Sequence, residues 1–154
     1  MKRILIALDY DPTAQRVAES GVALSFVAGD EVTLLHVIEN PAFYASSEYD
    51  PIMGFVGYMR PELPGALGLD QIKWGMEDYL QKSKEHLQMP EMQTRIEEGV
   101  PGEVILSTAS DIKADLIVMG THSRRWLEKI IMGSIAGYVV QHSRIPLLII
   151  PTRQ

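Results

Sequence analysis

Two glycines, Gly120 and Gly133, stand thirteen positions apart, and Ser134 directly follows the second. Gly120 closes the apolar run ADLIVM, where the missing Cβ lets the chain turn sharply and lets a ligand approach the backbone. If Gly133 and Ser134 open a helical turn, their free backbone N–H groups and the Ser134 hydroxyl form a small cradle for phosphate oxygens. A turn glycine and a close-packing glycine would produce the same spacing without any ligand, so spacing alone leaves both readings open.

The other reactive residue types narrow the chemistry. Neither GxxxxGK[ST] nor GxGxxG occurs anywhere in the chain, which removes the P-loop and the dinucleotide fingerprint. Asp9 and Asp11 could be paired carboxylates for acid–base work, but Asp11 before Pro12 is accounted for as a helix N-cap. No nucleophile stands beside a base, so no catalytic residue is assigned. His36, His86, His122 and His142 show no metal-ligand spacing, and there is no cysteine for a disulfide, a thiolate or a zinc site. Mg2+ or Mn2+ would instead arrive with a phosphate-bearing ligand. Arg124 and Arg125 lie beside the proposed cradle, where they could neutralise phosphate charge or simply be solvated.

These residues need a scaffold, and the pattern of the chain supplies one. RILIAL, residues 3–8, reads as a strand ending at Asp9, followed by a helix with Asp11 as N-cap, Pro12 as first helical residue and an end at Gly29-Asp30. EVTLLHVIE is a β-branched run without alternation, as expected of a strand covered on both faces. From Asn40 to Asp70 prolines, glycines and aromatics such as Phe43, Tyr44, Tyr49, Phe55 and Tyr58 mark a long loop or lid. QIKWGMEDYLQKSKEHL resumes helical spacing, TRIEEG is a short strand, PGEVILSTASDIKA a helix and ADLIVMG a fourth strand. A helix over roughly Leu127 to Gln141 and a last strand, PLLIIP, complete the order β-α-β-α-β-α-β-α-β. That alternation predicts a single α/β domain, a doubly wound five-stranded parallel sheet covered on both faces. Ligands of such sheets bind beyond the carboxyl ends of strands where strand order reverses, which directs attention to the chain after Leu8, Val37 and Met119.

Composition agrees with a folded, soluble chain. At 154 residues it has the size of one domain, with 46% hydrophobic and 22% charged residues. A net charge of -6 argues against nonspecific nucleic-acid binding, which needs surplus Lys and Arg. No apolar run is long enough for a membrane span, and MKRILIALDYD reaches an Asp too soon for a signal peptide, so a cytoplasmic location is expected.

The segments KRILIALD, LLHVIE, EEGVPGEVIL, ADLIVMGTH, MGSIAGYVVQHS and IPLLIIP together resemble the universal stress protein family. Nucleotide-binding members of that family carry a glycine, two residues, a glycine, nine residues, then glycine and Ser or Thr. Here the same frame reads Gly120, Thr121-His122, Ser123, nine residues, Gly133, Ser134. The resemblance implies an adenine-nucleotide alpha-hydrolase-like (Rossmann-like) fold that binds ATP or AMP. It places Asp9, with Ala7 beside it, against ribose or adenine, Tyr10 as a flank of the nucleotide, and the Val37 backbone as the reader of adenine. Met119 and Gly120 would line ribose and phosphate, and His122, Ser123, Arg124, Gly133, Ser134 and Ile135 would surround the phosphates.

Two departures from the family pattern matter. Ser123 occupies the middle-glycine position, where its Cβ would crowd the phosphates or its hydroxyl would donate to them, and DYDPTA replaces the common DGSxxS. The resemblance further implies pairing of the last strand with its counterpart in a second subunit, giving a homodimer that acts as a regulatory module on a protein partner in the stress response. The alternatives are a nucleotide-independent stress protein that works through contacts of the Phe43–Tyr58 loop, and a slow ATPase.

Overall fold

The computed structural model describes residues 1–9, 13–39, 69–121 and 133–152. Within them the elements follow the order β1 (Arg3–Ala7), α1 (Ala14–Ser25), β2 (Glu31–Ile38), α2 (Leu69–His86), β3 (Gln93–Glu98), α3 (Pro101–Asp111), β4 (Leu116–Gly120), α4 (Ser134–His142) and β5 (Leu147–Ile150). All strands are parallel, in the spatial order β3-β2-β1-β4-β5. The sheet grows outward from β1 in both directions, so strand order reverses between β1 and β4.

Side-chain alternation divides the strands between two cores. Ile4 and Ile6 of β1, Leu8 just beyond it, and Val32, Leu34 and Ile38 of β2 meet α1 and α2. Leu5, Leu35, Ile117 and Met119 meet Ile105 and Ala109 of α3 and Ala136 and Val139 of α4. Both faces are therefore apolar, which accounts for the unbroken hydrophobic runs of the central strands. On α2 the buried residues Ile72, Met76, Tyr79, Leu80 and Ser83 recur at helical spacing. Gly21 lets α1 lie against β4, since a Cβ there would stand 2.8 Å from Cγ1 of Val118.

The two edges of the sheet differ. β3 reads QTRIEE and carries charge, with Glu98 paired to Lys73 of α2 at 2.6 Å, whereas β5 reads LLII and its first three side chains are half-buried. No helix of the described residues is long and apolar enough to cross a membrane.

The α/β alternation and parallel sheet stand as the pattern predicts, with element bounds adjusted. α1 stops at Ser25, before the expected Gly29-Asp30, because Phe26 is already extended, and α3 stops at Asp111, ahead of Lys113 with its φ of 54°. α1 begins at Ala14 after Thr13, later than Pro12, and Asp11 and Pro12 themselves lie outside the described residues. α2 takes in Leu69 and Asp70, the end of the expected loop, and the remainder of that loop, 40–68, lies outside the described residues. Helix α4 spans Ser134–His142, so the expected helix over Leu127 to Gln141 does not pass through Gly133, and 127–132 lie outside the described residues. Gly133 has φ -66° and ψ 164°, an extended conformation that no α-helical residue adopts. Apolar spacing across 127–141 matched a helix, but glycine is a poor helix former, and its N–H is engaged outside the helix.

Candidate functional site

The crevice where strand order reverses is bounded by the exits of β1 and β4. After Ala7, the Leu8 N–H donates to Leu35 O at 2.8 Å and extends the ladder by one residue. Asp9 follows, half-buried, with its Oδ2 closed off from solvent. The backbone around Asp9 is held from the α1/α2 face. His36, 2% exposed, places Nδ1 at 2.9 Å from Leu8 O. A carbonyl only accepts, so Nδ1 carries the proton. The Tyr79 hydroxyl of α2 donates to Asp9 O at 3.1 Å, and the His36 and Tyr79 rings meet edge-on with centroids 6.4 Å apart.

The exit of β4 is organised around Thr121. Its N–H donates to Ile150 O at 3.0 Å, and its carbonyl accepts from the Gly133 N–H at 2.7 Å. Its Oγ1 accepts from the Thr152 N–H at 3.1 Å and lies 2.9 Å from the Thr152 hydroxyl. The end of β4, the chain after β5 and the start of α4 are thereby tied together. The first bond inside α4 runs from the Gly137 N–H to Gly133 O at 2.8 Å. The N–H groups of Ser134, Ile135 and Ala136 therefore have no acceptor within the helix, and the positive end of the helix dipole adds to their attraction for an anion. The Gly133 amide, expected from spacing to face phosphate, is instead engaged by Thr121 O; a cradle at this end consists of the next three amides.

The register Ile6↔Val118 makes Ala7 and Met119 the next residues on adjacent strands. Ala7, Val37, Met119 and Ile135 belong to the same apolar cluster on the α3/α4 face. Gly120 and Gly133 are half-buried and Ser134 is exposed. Tyr10, His122, Ser123 and Arg124 lie outside the described residues, as does Arg125. Tyr79, Thr121 and Thr152 were not singled out by sequence. Tyr79 sits among apolar residues at helical spacing and gives only the signal of a polar tip on a buried face, whereas Thr121 lies inside the glycine frame and was readable as a turn residue. His36 is a hydrogen-bonded structural residue, as its place in an apolar strand suggests.

Away from this crevice, three groups among the described residues depart from their ordinary pKa. The Glu19 carboxyl is lowered chiefly by hydrogen bonds from Gln15 and His86, and that of Asp30 by the Lys2 N–H and then Val27. The Lys73 ammonium is raised by Glu98. Asp30 joins the amino-terminal ends of the first two strands, opposite the crevice. Among the described residues no group of three His, Asp or Glu is placed to hold a metal ion.

The sequence profile described as the universal stress protein family matches residues 1–151. Universal stress protein MJ0577 of Methanocaldococcus jannaschii is 28% identical over 161 residues, covering 97% of this chain and 94% of that protein. The solved structure of MJ0577 superposes with a TM-score of 0.72 at 25% identity, over 99% of this chain and 97% of that one. A universal stress protein in complex with cAMP has a TM-score of 0.63 at 14% identity, covering 99% of this chain and 98% of that one. The universal stress protein of Archaeoglobus fulgidus in complex with dAMP has a TM-score of 0.59 at 18% identity, covering 97% of each chain. At such identities these last two likenesses bear on the fold.

Proposed function

Because this chain belongs to the universal stress protein family, we propose that it is a cytoplasmic homodimeric module that binds ATP or AMP and uses occupancy to bias a regulatory protein partner. The observation that carries the proposal is the meeting of two unlike groups at the strand-order reversal. Asp9 stands at the exit of β1, and the helix amides of Ser134, Ile135 and Ala136 stand at the exit of β4. A carboxylate accepts hydrogen bonds from sugar hydroxyls or a base amine, while helix amides donate to phosphate oxygens. Ala7, Val37, Met119 and Ile135 offer the apolar surface that a purine and ribose need between those ends. Mg2+ or Mn2+ would come bound to the phosphates. Neighbours of the same fold in complex with cAMP and with dAMP support an adenylate as the ligand class.

The β5 edge supports the second copy. An apolar LLII strand at the end of the strand order, with its first three side chains half-buried, favours pairing with its counterpart, while the charged β3 edge does not. Sedimentation of the native chain is expected to give a dimer, and a monomer at high micromolar concentration would contradict it.

Adenylate binding is tested by mass measurement of small molecules released from the purified, denatured protein, followed by calorimetric titration with ATP and AMP. Recovered or titrated adenylate is the expected result. An empty protein that ignores both nucleotides contradicts the proposal and favours a role through protein contacts. ADP release from ATP with Mg2+ would place the chain among slow ATPases.

A further inference from the structure

The buried pair His36–Tyr79 lies on the α1/α2 face, across the sheet from the apolar cluster that holds Ala7, Val37, Met119 and Ile135. An imidazole at 2% exposure in a strand whose neighbours are Leu34, Leu35 and Ile38 carries a desolvation cost that a leucine would avoid. What the polarity achieves is visible in its two acceptors. Leu8 O belongs to the peptide plane that enters Asp9, and Asp9 O to the plane that leaves it. Fixing both planes fixes φ and ψ of Asp9 and with them the direction of its Cα–Cβ bond.

Resting on the adenine-nucleotide proposal above, we propose that His36 and Tyr79 are positioning residues of the site, which aim the Asp9 carboxylate at the ligand by holding its two flanking peptide planes from the opposite face of the sheet. Neither side chain touches the nucleotide; both act through Asp9. Removing one anchor leaves the carboxylate present on a less constrained backbone, and the affinity lost is the share that depended on its direction.

The test is ATP affinity by calorimetry for Tyr79→Phe, His36→Leu and His36→Asn, with Tyr79→Phe repeated in an Asp9→Asn background. Tyr79→Phe and His36→Leu should each weaken ATP by about three- to tenfold, the worth of one hydrogen bond. His36→Asn keeps an N–H near the Nδ1 position and should recover most of the His36→Leu loss. In the Asp9→Asn protein, Tyr79→Phe should cost nothing further, because there is no carboxylate left to aim. An undiminished affinity in Tyr79→Phe, or an equal loss with and without the Asp9 carboxylate, overturns the proposal. Should His36→Leu fail to fold, the Tyr79 and Asp9 cycle decides alone. Should the native protein bind no adenylate, the nucleotide proposal fails, and the positioning of Asp9 is judged in the ligand-free chain. There, displaced carbonyl 13C resonances of Leu8 and Asp9 together with a moved Asp9 carboxyl resonance in Tyr79→Phe support it, and unmoved resonances contradict it.

Discussion

The exits of β1 and β4 flank the same crevice and are built in different ways. The first is held by side chains distant in the chain, His36 being 28 residues from Leu8 and Tyr79 being 70 from Asp9. The second is held by one residue, Thr121, whose amide, carbonyl and hydroxyl all join its neighbours β5 and α4. One side presents a carboxylate, the other a row of helix amides. A single ligand with hydroxyls or an amine at one end and anionic oxygens at the other would satisfy both. If the chain binds an adenylate as proposed, the difference assigns charge recognition to the β4 exit and orientation to the β1 exit.

The sharpest way to break that division is Gly133→Asp. A carboxylate at the start of α4 opposes phosphate and should weaken ATP by about a hundredfold or more. Aspartate is also a favoured N-cap, so the thermal midpoint should hold or rise. Retained ATP affinity would show that anions are not received at this helix end. Next in size is Thr121→Val, which leaves the Thr152 N–H without its acceptor and should cost about 1–3 kcal/mol in urea unfolding. Thr121→Ser restores the oxygen and should recover most of that loss; an equal loss in both variants would show that the oxygen alone does not account for the stability held at this position. Thr152→Val keeps the backbone bond and removes only the hydroxyl pair, so about 0.5–1.5 kcal/mol is expected by the same measurement.

The smallest effect is expected away from both exits, at Asp30. Its carboxyl is held low by the Lys2 and Val27 amides, so its contribution is full above the ordinary carboxylate pKa and is lost as pH falls through the lowered folded value. Asp30→Asn should flatten the acid limb of the stability profile and leave ATP affinity at neutral pH unchanged. A weakened affinity would mean that the amino-terminal ends of the strands communicate with the crevice.

Local chemistry was legible in the chain and long-range chemistry was not. Apolar runs separated by helical spacing specify a parallel sheet because strands covered on both faces cannot carry polar alternation, and ADLIVMG and PLLIIP became β4 and β5. The segments quoted for the family resemblance extend over both exits, and the family match spans residues 1–151. The glycine frame drew attention to the β4 exit because it lies within one stretch of sequence. It did not disclose that the Gly133 amide turns to Thr121, since an extended residue at a helix start and a helical one have the same neighbours in sequence. The anchors of the β1 exit were hidden for a stronger reason. Nothing in LLHVIE or EDYLQ says that an imidazole and a phenol will converge on two successive carbonyls from another strand, because only the packing of α2 over β1 and β2 creates that meeting.

The division between the exits can be read directly from backbone amide resonances of the 15N-labelled native protein titrated with ATP. Binding across the crevice predicts saturable shifts at Ala7 to Asp9, Val37, Met119 to Thr121 and, largest of all, Ser134 to Ala136, with the amino-terminal ends of the strands undisturbed. A spectrum unchanged at millimolar ATP, or shifts that spare the start of α4, would contradict the account.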